Sequence, residues 1–146
     1  MPSDRDLIAG DARTLSFASV RIEEELLERL LRYQRALADR LRPGWEPAVL
    51  SRAHQEALAE AGLEADQLER PLAVLRRFAG NRTTAARLRQ RIEAATGELA
   101  EGLREQLHSL DHQLREREDP GTVERMLAHE AEILALHSHT DRLIRG

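Results

Sequence analysis

The chain has no cysteine in its 146 residues, which excludes a disulfide-stapled scaffold, a cysteine zinc finger, a thiol nucleophile and a thiol redox switch. Lysine is absent too, so all 22 basic residues are arginine. A G- and C-rich genome produces that bias as readily as selection does, and no function follows from it. Aromatics are only 3% of residues, and no apolar run approaches the ~18 residues that a membrane span needs. Met1 to Arg13 mix acids and bases before any long apolar stretch, unlike the order of a secretory signal. The expectation is a cytoplasmic protein with no membrane partner.

What is present is 24 Leu, 21 Ala, 18 Glu and 22 Arg, more than half of the chain, and this composition reads as long helices. Leu15, Ile22, Leu26, Leu30, Leu37 and Leu41 recur at helical spacing and predict a first helix from Ala12 to Leu41. Val20, Leu27 and Leu31 widen its apolar stripe, so it should be central. Residues 1–11 read as a flexible tail. Pro43-Gly44 ends the first helix, and Pro47 opens a second that Gly62 closes. A third runs from Leu63 to Ala79, with Pro71 either kinking it or marking its true start, and Gly80-Asn81 predicts its end. A fourth spans Thr83 to Glu118, with a bend or short break near Thr96-Gly97. Asp119 or Thr122 caps a last helix from Val123 to Ile144. Short connections favour antiparallel neighbours, so the predicted fold is all-α. It is a single domain over 1–146, an antiparallel bundle of four to five helices with coiled-coil-like long first and fourth helices.

Charge is distributed unevenly. Between Arg70 and Ile92 stand Arg70, Arg76, Arg77, Arg82, Arg87, Arg89 and Arg91, and not one acid, in a chain whose net charge is −4. Such a block suits an acidic partner surface, another copy of the chain, or a phosphate backbone. The low pI and the lack of interleaved aromatics weigh against nucleic acid. The plainer expectation is that the arginines pair internally, with Glu23, Glu24, Glu25, Glu28 and other acids across the bundle.

Five of the six histidines follow residue 100. His108 and His112 are one turn apart, but they project opposite the Leu103, Leu107, Leu110 and Leu114 stripe and should face solvent. Glu105 with His108 is one Glu-x-x-His element of the kind di-iron bundles use, without the second copy such a site needs. In the last helix, Glu130, His137 and Asp141 share a face with Ile133 and Ile144. His54 sits on the small-residue face of the second helix, and Glu23 within the first stripe. His54, Glu130, His137 and Asp141 are therefore candidate ligands for iron, manganese or zinc, unless each is merely paired within the core. No serine lies on a strand-to-helix elbow and no catalytic set emerges, so no enzyme activity and no cofactor are expected on the leading reading. Trp45 should pack over a bundle end rather than stand as a recognition aromatic.

The leading expectation is a protein–protein interaction module (an adaptor, regulator or assembly component) that uses Arg76, Arg77, Arg82, Arg87, Arg89 and Arg91. It would contact an acidic partner or self-associate as a homo-oligomer. A metal-binding bundle is the alternative, and weak nucleic-acid binding through the arginine block comes third.

Overall fold

A computed structural model describes residues 20–145, and every regular element among them is helical. The described residues form six helices where four to five were expected: α1 (Glu24–Arg40), α2 (Pro47–Ala61), α3 (Ala65–Ala94), α4 (Gly97–Arg117), α5 (Pro120–Ala128) and α6 (Glu130–Arg145). α1 packs against α2 and α6, and α3 packs against α4 and α6. The core forms where α1, α2, the first half of α3, α5 and α6 meet. Leu27, Leu30, Leu75, Phe78, Met126 and Ile133 are all but sealed from solvent there. Each such side chain contributes about 2 kcal/mol by leaving water.

The central first helix is shorter than its periodicity suggests. The predicted turns from Ala12 to Ser19, and the proposed tail, lie outside the described residues. Val20 to Glu23 are not helical, and the helix begins at Glu24. The cause is tertiary. The Ile22 N–H donates to Thr122 Oγ1 at 2.9 Å, and the Ile22 carbonyl accepts from Arg125 at 3.1 Å. With its backbone groups engaged by α5, this segment does not continue the helix. Ile22 is buried all the same. Glu23 does not join the apolar stripe but is exposed and pairs with Arg125 at 3.0 Å.

The α2 boundaries follow the sequence signals. Pro47 stands at the first turn, where no N–H is needed. Gly62 takes φ +69° and closes the helix, its N–H reaching Ala59 and the Leu63 N–H reaching Leu58.

The longest helix is α3, at 30 residues, and not the first or the fourth as expected. Glu64 opens it, its N–H donating to Gln67 Oε1 at 2.9 Å. Pro71 lies inside it and does not start it. The predicted stop at Gly80-Asn81 does not occur. Gly80 keeps a negative φ, a helical glycine costs only about 1 kcal/mol, and Asn81 uses its amide to reach the Leu110 carbonyl at 2.8 Å rather than to cap. The buried run Phe78, Ala79, Arg82, Ala85 and Leu88 carries the helix across both residues.

The chain breaks instead at Ala95-Thr96, beside Gly97 at φ +62°, so the bend expected there is a full separation of α3 from α4. Asp119 caps α5 by accepting from the Thr122 N–H at 3.0 Å. The last predicted helix is divided at His129, whose ring nitrogen lies 2.7 Å from Glu24 Oε1. Trp45 packs against the core, its indole N–H donating to the Leu143 carbonyl at 2.6 Å. No helix among the described residues is long and apolar enough to cross a membrane.

Candidate functional site

Because α3 is continuous, all seven arginines of the basic block fall on one helix, and its environment divides them. Arg82 is only 5% exposed, so it is part of the interior and not of a docking face. Its Nε donates to Glu130 at 2.9 Å, and Asp111 lies 3.8 Å from its terminal nitrogen. A guanidinium on the buried stripe is tolerated because two acids meet it. Arg77 is half-buried and grips Glu118 through two nitrogens, at 2.9 and 3.3 Å. The internal partners are thus acids across the bundle, on α4, on α6 and in the turn after α4, and the glutamates at 23–28 are not among them.

Arg76, Arg87, Arg89 and Arg91 are exposed and make no ion pair among the described residues. They do not form one surface. Arg76 borders a cleft near the core. Arg87 and Arg91 are one turn apart, while Arg89 projects from the opposite flank.

Those last three arginines stand on a helical hairpin. The main core takes α3 residues only as far as Ala79 and a single α4 residue, Leu114. Farther out, α3 and α4 bury Ala85, Leu88, Ala100 and Leu103 in a small seam of their own. Apart from a short contact with α5, α4 leans on α3. Glu98, Glu101 and Glu105, spaced three and four apart, share the face of α4 opposite Ala100 and Leu103. None of the three has an ion-pair partner among the described residues. Leu99, at the first turn of α4, is 60% exposed. Among the described residues the outer part of α3 thus carries an excess of unpaired cations, with Glu93 the one unpaired acid there, and the outer part of α4 an excess of unpaired anions, with Arg104 set among them.

The candidate metal ligands are dispersed. His54 Nδ1 is 2.7 Å from Tyr33 Oη, and Glu130 is taken up by Arg82. Only His137 and Asp141, one turn apart on α6, line the same cavity. No group of three or more His, Asp or Glu side chains suited to a metal ion occurs among the described residues, which corrects the four-residue constellation. Helical phase placed these groups on inward faces but carried no information about which neighbour each would meet. His108 and His112 are exposed, and His112 lies 3.0 Å from Glu116 of its own helix.

One feature was not legible in the sequence. Between α1, α3 and α6 lies a cleft of about 450 Å³, with Tyr33, Gln34 and Leu37 on one side, Leu72 and Arg76 on the second, and Thr140 and Asp141 on the third. A second lobe of about 550 Å³ shares Tyr33, Leu37, Leu72, Arg76 and Ile144 with it and reaches His54. Burial raises the Tyr33 phenol above its ordinary pKa, and the Arg76 charge partly opposes the shift. Gln34 Oε1 and Thr140 Oγ1 are buried without a hydrogen-bond partner among the described residues. The sequence signal for this cleft is a glutamine, Gln34, on the buried face of α1 beside Leu30, Leu31 and Leu37.

No family model, no curated protein and no solved structure matches this chain.

Proposed function

We propose that this chain is a non-enzymatic helical interaction module, an assembly component whose α3–α4 hairpin pairs with the hairpin of a second copy. The observation that carries the reading is the self-complementary charge of that hairpin. Arg87 and Arg91, one turn apart on one flank of α3, and Glu98, Glu101 and Glu105 on α4 are all exposed and lack ion-pair partners among the described residues. In a two-fold pairing each set is used twice, and the exposed Leu99 is covered near the contact. Exposed pairs contribute about 0.5 kcal/mol each, so the association is weak and falls with salt. The antiparallel stacking of the helices as a bundle and the cytoplasmic location belong to the same proposal.

Native mass at low and moderate salt tests it. The wild-type chain is expected to form a dimer or larger assembly that dissociates as salt rises. Arg87→Glu with Arg91→Glu gives a folded monomer, as does Glu98→Arg with Glu101→Arg, and mixing the two variants restores association. A wild-type monomer at high concentration, or assembly indifferent to both reversals, overturns the reading. Salt-sensitive DNA or RNA binding lost in the arginine variant, without self-association, would replace it with the nucleic-acid alternative. For the metal alternative, which would draw on His54, Glu130, His137 and Asp141 with iron, manganese or zinc, the geometry offers no comparable support.

A further inference from the structure

α2 and α3 follow one another in the chain yet scarcely touch, because α2 leans on α1 while α3 leans on α4 and α6. The lobe of about 550 Å³ is the groove left between them. Buried Tyr33 and Leu37 of α1 form its floor, Leu50 of α2 faces Leu68 and Leu72 of α3, and Ile144 of α6 completes the apolar lining. Ile144 is one of three large apolar side chains left exposed among the described residues, so the groove retains apolar surface that the fold does not cover. Charge in the groove is uneven. Arg76 lines both this lobe and the neighbouring cleft, is exposed, and makes no ion pair among the described residues. Its guanidinium is close enough to the floor to favour ionisation of the buried Tyr33 phenol, and no carboxylate among the described residues acts on that phenol in the opposite sense. Glu69, the one carboxylate of the lining, stands two turns before Arg76 on α3, about 10 Å away along the axis. Tyr33 and His54 satisfy one another at 2.7 Å and ask nothing further of an occupant.

We propose that the groove between α2 and α3 binds an amphiphilic anion, a carboxylate with an unbranched aliphatic tail of medium length. The carboxylate meets the planar Arg76 guanidinium, which is suited to grip it through two parallel hydrogen bonds. The tail lies between Leu50 on one side and Leu68 and Leu72 on the other, and it covers Leu37 and Ile144. A neutral amphiphile would cover the same apolar surface and leave Arg76 without an anion. An aliphatic amine has only Glu69 to pair with, away from the Tyr33 floor and exposed, where water and salt screen the pair. An anion without a tail has one exposed cation to hold it, which contributes little. The volume of the groove falls within the range usual for small-molecule sites. The groove is built on the first half of α3 and the charged hairpin on the second, so loss of assembly would leave this site intact.

Calorimetric titration and melting of the full chain with octanoate test the proposal. Octanol, with the same tail and no charge, octylamine, with a cationic head, and acetate, with no tail, are the matched probes. Octanoate is expected to bind saturably and raise the melting temperature, with octanol and octylamine weaker by about tenfold or more and acetate giving no saturable signal. Arg76→Ala, at an exposed position, is expected to keep the melting temperature of the free chain and bring octanoate down to the affinity of octanol. Ala65→Phe, at an exposed position of the lining, fills the groove and should lose octanoate without melting lower. If octanoate does not bind saturably, or if either variant binds it as tightly as the wild-type chain, the proposal fails. If octanol or octylamine binds as tightly as octanoate, the groove takes apolar surface alone and the anion assignment fails.

Discussion

The Arg77–Glu118 pair should respond asymmetrically to losing one partner or the other. The Glu118 side chain is 2% exposed, whereas Arg77 is 35% exposed, and two hydrogen bonds of 2.9 and 3.3 Å join them. Arg77→Ala would leave a carboxylate enclosed without the cation that compensates it, a class of change that destabilises by about 3 to 5 kcal/mol. Glu118→Gln leaves a cation with a third of its surface already in water, so its loss should be nearer 1 kcal/mol, a single unmade hydrogen bond. Urea unfolding followed by helical circular dichroism and by Trp45 fluorescence measures both, and coincident curves license a two-state treatment. With a slope of about 2 kcal/mol per molar urea, Arg77→Ala should lower the midpoint by about 1.5 M or more, and Glu118→Gln by about 0.5 M. The Arg77→Met, Glu118→Met double variant removes both charges and should return to within about 1 kcal/mol of wild type. Equal losses from the two single variants, or an Arg77→Ala loss below about 1 kcal/mol, would refute the reasoning that burial of Glu118 decides the effect.

Two glycines should respond to alanine with opposite signs. At Gly80, helical and with nothing within 4 Å of an added Cβ, the substitution should stabilise by about 0.5 to 1 kcal/mol. At Gly62, with equal space but φ +69°, it should destabilise by about 1 kcal/mol, and thermal melting of both variants checks the contrast. Tyr33 is the sole tyrosine, so the phenolate absorbance of the folded chain reports it alone, with a midpoint expected above the ordinary 10.0. Since the unfolded phenol ionises first, its stabilising contribution is complete below that pH and is lost as pH rises through the folded value. Arg76→Ala should raise the folded midpoint further, and an unchanged midpoint in the native wild-type protein would contradict the burial argument.

How much of the molecule was legible is clearest from individual segments. The ends of α2 needed only Pro47 and Gly62, because proline at a first turn and a left-handed glycine act within a few residues of themselves. The Gly80-Asn81 pair carries the same local signals and was overridden, since a continuous buried stripe on both sides outweighs about 1 kcal/mol of glycine propensity. The start of α1 failed differently. Ile22 is in phase with the helix that follows, but its backbone is claimed by Thr122 and Arg125, about a hundred residues away. No local pattern reports a partner so distant in the chain.

The candidate site divides along the same line. Composition and periodicity by themselves determined that the described residues are helical, which positions face inward along most of α1 and α2, and that a block of arginine without acid lies between residues 70 and 92. Those are properties of neighbours within a few turns, and helical geometry fixes them. Only the tertiary structure decided that Arg82 and Arg77 are spent inside, that Arg87, Arg89 and Arg91 stand on a hairpin beside unpaired glutamates, and that Gln34, Arg76 and Thr140 share one cleft. Each of those outcomes depends on which inward face meets which other face. Phase along one helix fixes a direction in space, while the partner waiting in that direction is set by packing among the helices together.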